Sequence, residues 1–176
     1  DELKINDFIL QNSTNLHSEK ETELNEDLMW LIGFVIGDGC ISEFIDNRGG
    51  NNLKKYKIRF FSEHQKSLER IGTILSRYFR TKANVIKNDK RSELVKEIST
   101  SKKEVLEFFF KYGFSPGKKV YNVSIPQKVK ENMTRANVFS LLAGLIESDG
   151  TVNKRDGNIE YYTVSAKLAE DILEIC

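Results

Sequence analysis

LIGFVIGDG, residues 31–39, and LLAGLIESDG, residues 141–150, end alike: an apolar helical run, then an aspartate before a glycine. A helix C-terminus carries the negative end of the macrodipole, so Asp38 and Asp149 sit where a carboxylate is poorly served. One Asp-Gly after an apolar helix is ordinarily a cap or a turn; the repetition asks for a further reason. Gly33 and Gly37 are four residues apart and share a helix face, as do Gly144 and Ser148. Faces of small residues let two helix backbones approach closely. Packing the two runs through these faces brings Asp38 and Asp149 together at two negative helix ends. A divalent cation removes the resulting repulsion, and hard carboxylate oxygens suit Mg²⁺. A metal held there can activate water and stabilise the leaving oxygen of a phosphodiester.

Outward from these runs the chain repeats itself. Asn25 can cap a helix over 26–38, with Glu26 and Asp27 in its first turn. CISEFI and KYKIRFFS read as strands around the turn DNRGGNN, with Tyr56, Ile58 and Phe60 on one face and Lys57, Arg59 and Phe61 on the other. EHQKSLERIGTILSRYF is an amphipathic helix. KANVIKND and SELVKEIST read as two more strands, and SKKEVLEFFFKYGF as a helix capped by Ser101. KVYNVSIP is extended before Pro126. Helix 136–149, a hairpin turning at Asp156-Gly157 and a helix from KLAEDILEIC then restart the order. The expectation is an α+β chain of two αββαββα units with antiparallel sheets, the second cut short. Its expected parts are 1–25, a strand and polar linker, 26–126, the first unit, and 127–176, the start of the second.

Composition adds bounds. The 176 residues are 39% hydrophobic and 30% charged, enough for a real core, and 27 basic against 26 acidic residues leave +1. Bulk attraction to nucleic acid is therefore not encoded in the total. Cys40 and Cys176 fit no metal-ligand spacing, His17 and His64 show none either, and an intracellular, cytoplasmic location is expected. No apolar run approaches a membrane span, and the acidic, polar N-terminus is no secretory signal.

LIGFVIGDG and LAGLIESDG both resemble the LAGLIDADG motif, and residues 26–176 look like a two-motif, single-chain LAGLIDADG homing endonuclease of the dodecapeptide type. The resemblance implies motif helices at the interface of two pseudo-symmetric halves, each offering a saddle-shaped sheet to double-stranded DNA. It implies a monomeric pseudo-dimer when full length and Mg²⁺-dependent cleavage of both strands at a long site. Asp38 and Asp149 would bind the metal, with the backbone carbonyls of Gly37 and Ser148 as additional ligands. DELKINDFI is similar to a segment of intein splicing domains that precedes the endonuclease, with Asn6 in place of the usual glycine. No splicing nucleophile, Thr-x-x-His block or terminal His-Asn accompanies it, so the expected object is the endonuclease region of an intein.

The family's basic residue two positions before "IP" is replaced by Val123. Lys118 and Lys119 are the nearest cations, and Lys119 is the candidate basic catalytic residue unless the pair is simply a solvated turn. Lys57, Arg59, Lys87, Lys96, Lys154 and Arg155 fall on or beside strands as candidate DNA contacts, or as plain solvated charges. A non-catalytic DNA- or RNA-binding module, as in maturases and regulators of this fold, or a degenerate insert is the alternative.

Overall fold

The computed structural model describes residues 22–47, 52–82, 85–87, 94–117, 123–153 and 155–176, with 85–87 as backbone. Two helices form its middle, α1 (Glu26–Asp38) and α5 (Arg135–Asp149). Asn25 caps α1 by accepting the Leu28 N–H, as expected. Thr134 caps α5 in a reciprocal box with Asn137. The Asn137 amide also donates to the Leu24 carbonyl at 3.0 Å, and Leu24 is wholly buried. The packed body therefore begins before the boundary expected at residue 25. The strand expected at the extreme N-terminus lies outside the described residues.

From α1 the chain passes directly into β1 (Gly39–Asp46) and returns in β2 (Leu53–Ser62). These strands join β3 (Val85–Lys87) and β4 (Lys96–Thr100) in an antiparallel sheet ordered β1-β2-β4-β3. The alternation expected for β2 holds: Ile58, Phe60 and Ser62 are buried, whereas Arg59 and Phe61 are half-buried on the other face. Ile41, Ile58, Phe60 and Ile98 present a dry face to the helices α1, α2 (Gln65–Phe79) and α3 (Lys103–Lys111). Phe109 on α3 reaches Phe60 with ring centroids 6.4 Å apart.

One local expectation is corrected. The N-cap of α3 is Lys102, not Ser101; the Thr100 hydroxyl holds the Lys102 N–H instead. The described part of the extended stretch, 123–126, is non-helical as expected, but after Pro126 comes a single helical turn, α4 (Gln127–Lys130), in a stretch for which no element was expected. Pro126 is the extended N-cap of that turn, with ψ 141°.

The second unit repeats the first in miniature. Strands β5 (Gly150–Val152) and β6 (Ile159–Tyr161) follow α5, and α6 (Ala166–Ile175) follows them. Gly157, at φ 73°, makes the expected turn. Gly39 pairs with Phe60 and Gly150 with Tyr161, so the hairpins share one register. Their burial differs. Ile41 and Ile58 are fully covered, while their counterparts Val152 and Ile159 are 53% and 61% exposed. Leu28 is buried on α1, while its counterpart Phe139 on α5 is 67% exposed.

Asp171 ties α6 to the segment joining the units. It is wholly buried and accepts the Ile125 N–H at 2.8 Å and the ammonium groups of Lys130 at 2.7 Å and Lys167 at 2.9 Å. Burial pushes its carboxyl up, but the two lysines and the backbone N–H outweigh burial and hold it below its ordinary value. Removing one partner of a buried pair strands the other. Asp171→Ala should therefore lose about 3 kcal/mol in urea unfolding, and Asp171→Asn less, because it can still accept the Ile125 N–H.

Candidate metal centre at the paired helix ends

The small-residue stripes expected on the two motif helices meet each other. A β-carbon added to Gly33 would stand 2.1 Å from the Leu141 carbonyl oxygen, and one on Gly144 would stand 2.1 Å from that of Trp30. Trp30 and Leu141 occupy equivalent places in the two motifs, so the contact is reciprocal about a pseudo-two-fold axis. At the end of the interface, a β-carbon on Gly37 would lie 2.0 Å from the Ser148 hydroxyl oxygen and 2.9 Å from Asp149 Oδ2. The Ser148 hydroxyl turns back to the Leu145 carbonyl at 2.8 Å. The Asp149 carboxylate thus lies against the last turn of α1, the turn that ends in Asp38.

Electrostatics agree with this geometry. Burial, then the charge of Asp149, then that of Glu63 push the Asp38 carboxyl up to about 7. Burial also raises Asp149. The Tyr161 phenol is raised by burial, then by Asp149 and Asp38, so these groups share one field. A carboxyl raised in the folded state binds more protons than its unfolded counterpart. Its contribution to stability is complete below the unfolded pKa near 3.8 and is lost as pH rises through about 7. With EDTA present, thermal stability should fall between pH 5 and 8. Millimolar Mg²⁺ should reverse that fall at pH 8 and have little effect at pH 5.

The donor set suits a hard divalent cation. Two carboxylates disfavoured as bare anions gain from a positive charge, and last-turn carbonyls such as those of Gly37 and Ser148 lack intrahelical donors. No group of three His, Cys, Asp or Glu side chains converges among the described residues, so water or ligand oxygens would complete the shell.

Two cavities open at these helix ends. Asp149, Arg59, Cys40, Phe61, Val123 and Tyr161 are among the residues lining one of about 580 Å³. Asp38 lines the other, of about 280 Å³, with Glu63, His64, Glu147 and Ser148. Val123, at the position where a lysine was anticipated, faces the first cavity. Lys119 and Lys154 lie outside the described residues, as does the Lys87 side chain. Lys57 and Arg59 share the open face of the first sheet. Lys96 does not join them: its register partner is Ser62, on the helix-covered face, and its ammonium donates to Gln65 Oε1 at 2.8 Å. Arg155 is exposed in the β5–β6 turn.

Sequence reading missed four residues. Glu63 follows β2, and pairing Gly39 with Phe60 carries that strand's end back to Asp38. The same register puts Tyr161 beside Asp149. Glu147 accepts the Trp30 indole N–H at 3.1 Å and the Ser67 hydroxyl at 2.7 Å, fastening α5 to α1 and α2. No spacing rule announces that bond. Lys55 belongs on the Lys57–Arg59 face by the same period of two, although its ammonium is held by Asp46 at 2.6 Å.

Residues 136–175 match the family profile described as a LAGLIDADG-like domain. The homing endonuclease I-DmoI in complex with DNA and Mn superposes with a TM-score of 0.61 at 14% identity, over 85% of this chain and 75% of that one. Mesophilic variants of I-DmoI give 0.62 at 15% identity, over 85% and 74%. The chain has the LAGLIDADG endonuclease fold. In sequence it is 29% identical over 153 residues to the replication factor C small subunit of Methanocaldococcus jannaschii, a match covering 87% of this chain and 7% of that protein. An uncharacterized protein of the same organism is 26% identical over 155 residues, covering 86% and 16%. The chain thus spans a small part of the curated relatives it matches. Within the LAGLIDADG fold, α1 and α5 are the motif helices. No helix among the described residues is long and apolar enough to cross a membrane.

Proposed function

We propose that the protein is a site-specific, Mg²⁺-dependent DNA endonuclease acting within an intein. The observation that carries this reading is the reciprocal packing of α1 and α5, which sets two acidic groups, the half-buried Asp38 and the more exposed Asp149, in one electrostatic field. Structural parts alone do not require such a placement, because it costs stability wherever both groups are charged. A divalent ion held between them would supply a Lewis acid, lower the pKa of bound water and neutralise charge on the reacting phosphate. Asp38 and Asp149 would hold that ion, and the last-turn carbonyls of Gly37 and Ser148 would orient it.

Lys57 and Arg59, projecting from the open sheet face, would meet the DNA backbone. Lys119 remains a candidate for the basic catalytic residue, as Lys154 and Arg155 do for DNA contacts, whereas Lys87 pairs with Lys96 and shares its face. The pseudo-symmetric helix pair supports action as a monomeric pseudo-dimer. Its setting within an intein is supported by DELKINDFI and by a relative of which the match fills only 7%. An inserted element stands in that relation to its host.

The test is incubation with duplex DNA carrying the uninterrupted host gene. A break at one site with Mg²⁺, and none with EDTA, is expected. Binding without a break under either condition would favour the non-catalytic DNA-binding module.

A further inference from the structure

Arg59 stands apart from the other cations of the sheet. Its register partners are Cys40, two residues beyond Asp38, and Ser99 on the neighbouring strand, so it sits mid-sheet. Its Nε is shielded from water and has no hydrogen-bond partner among the described residues. The nearest carboxylate, Glu97, is 3.8 Å from that nitrogen, too far for a hydrogen bond, and the Arg59 side chain remains 41% exposed. A shielded N–H without an acceptor is costly, and its presence asks for an acceptor that arrives later. The side chain lines the 580 Å³ cavity together with Asp149, while Val123 occupies the place where a cation was anticipated. The smaller cavity beside Asp38 is different: its described lining residues include Glu63 and Glu147 but no lysine or arginine.

We propose that Arg59 is a catalytic residue of the Asp149 side of the site, its guanidinium gripping the non-bridging oxygens of the scissile phosphate there. A planar fork of donors matches two phosphate oxygens at once. In the step it assists, a water oxygen forms a bond to phosphorus and one phosphorus–oxygen ester bond breaks. The proton lost by the water passes to solvent, and the departing alkoxide takes one from solvent. Arg59 exchanges no proton; it stabilises the added negative charge on the phosphate oxygens. The consequence is unequal dependence of the two strands on this residue.

This inference rests on the endonuclease reading, and the test separates the two. The probe is duplex DNA carrying the uninterrupted host gene, each strand end-labelled with a different dye. Binding is measured in Ca²⁺ and cleavage in Mg²⁺. Arg59→Ala should slow the cut on one strand by ~10²-fold or more, slow the other less than about fivefold, and weaken binding only about threefold, as expected for one phosphate contact among many. Arg59→Lys should recover part of the lost rate. Equal slowing of both strands in proportion to lost binding would make Arg59 a docking contact and overturn the proposal. Wild-type rates on both strands in Arg59→Ala would overturn it too, leaving the endonuclease reading intact. A wild type that binds but cuts neither strand would overturn both.

Discussion

Asp38→Asn should give a protein that is inert as a nuclease and harder to unfold than the wild type. Both effects have one cause. In metal-free protein at pH 8, Asp38 is charged against burial and against the charges of Asp149 and Glu63, forces that push its carboxyl up to about 7. The amide keeps the shape and removes the charge. After allowance for solvent screening at a partly exposed group, the gain should be about 2 kcal/mol, or roughly 5 °C in melting temperature. Cleavage should fall ~10³-fold or more, because the lost ligand acts on the charge that develops in the transition state. Mg²⁺ should raise the wild-type melting temperature at pH 8 and leave that of the variant nearly unchanged. A variant that is less stable than the wild type and still cuts would remove Asp38 from the metal centre.

Gly33→Ala and Gly144→Ala should each destabilise the protein by ~3 kcal/mol or more in chemical unfolding. The usual gain from replacing a helical glycine with alanine is set aside here by sterics. The new methyl group would stand 2.1 Å from a backbone carbonyl oxygen of the facing helix, and a backbone carbonyl cannot swing away as a side chain can. The helices must separate, which also moves Asp38 from Asp149. Cleavage should therefore fall further than the loss of folded protein explains. Gly72→Ala provides the contrast: nothing lies within 4 Å of its added carbon on α2, so it should stabilise by about 0.5–1 kcal/mol.

The motif helices, their small-residue faces and the acids at their ends were legible because each is a local pattern repeated. Period-two alternation likewise identified the two faces of β2. What escaped needed pairing or distance. Glu63 and Tyr161 reach the site only through hairpin register, and Lys96 leaves the face of Lys57 and Arg59 for the same reason. Glu147 and Asp171 are fixed by partners far along the chain, so their neighbouring sequence carries no mark of those bonds. Val123 lines the larger cavity. That Arg59 lines the same cavity follows from the pairing of β2 with β1, which sets it opposite Cys40 and is a property of the assembled sheet.

Phe139, Val152 and Ile159 occupy places whose counterparts in the first unit are covered. Hydrocarbon left wet on one flank of a chain with a net charge of only +1 gives little colloidal repulsion to offset its stickiness. In concentrated solution that flank is the place where two copies of this chain would first adhere.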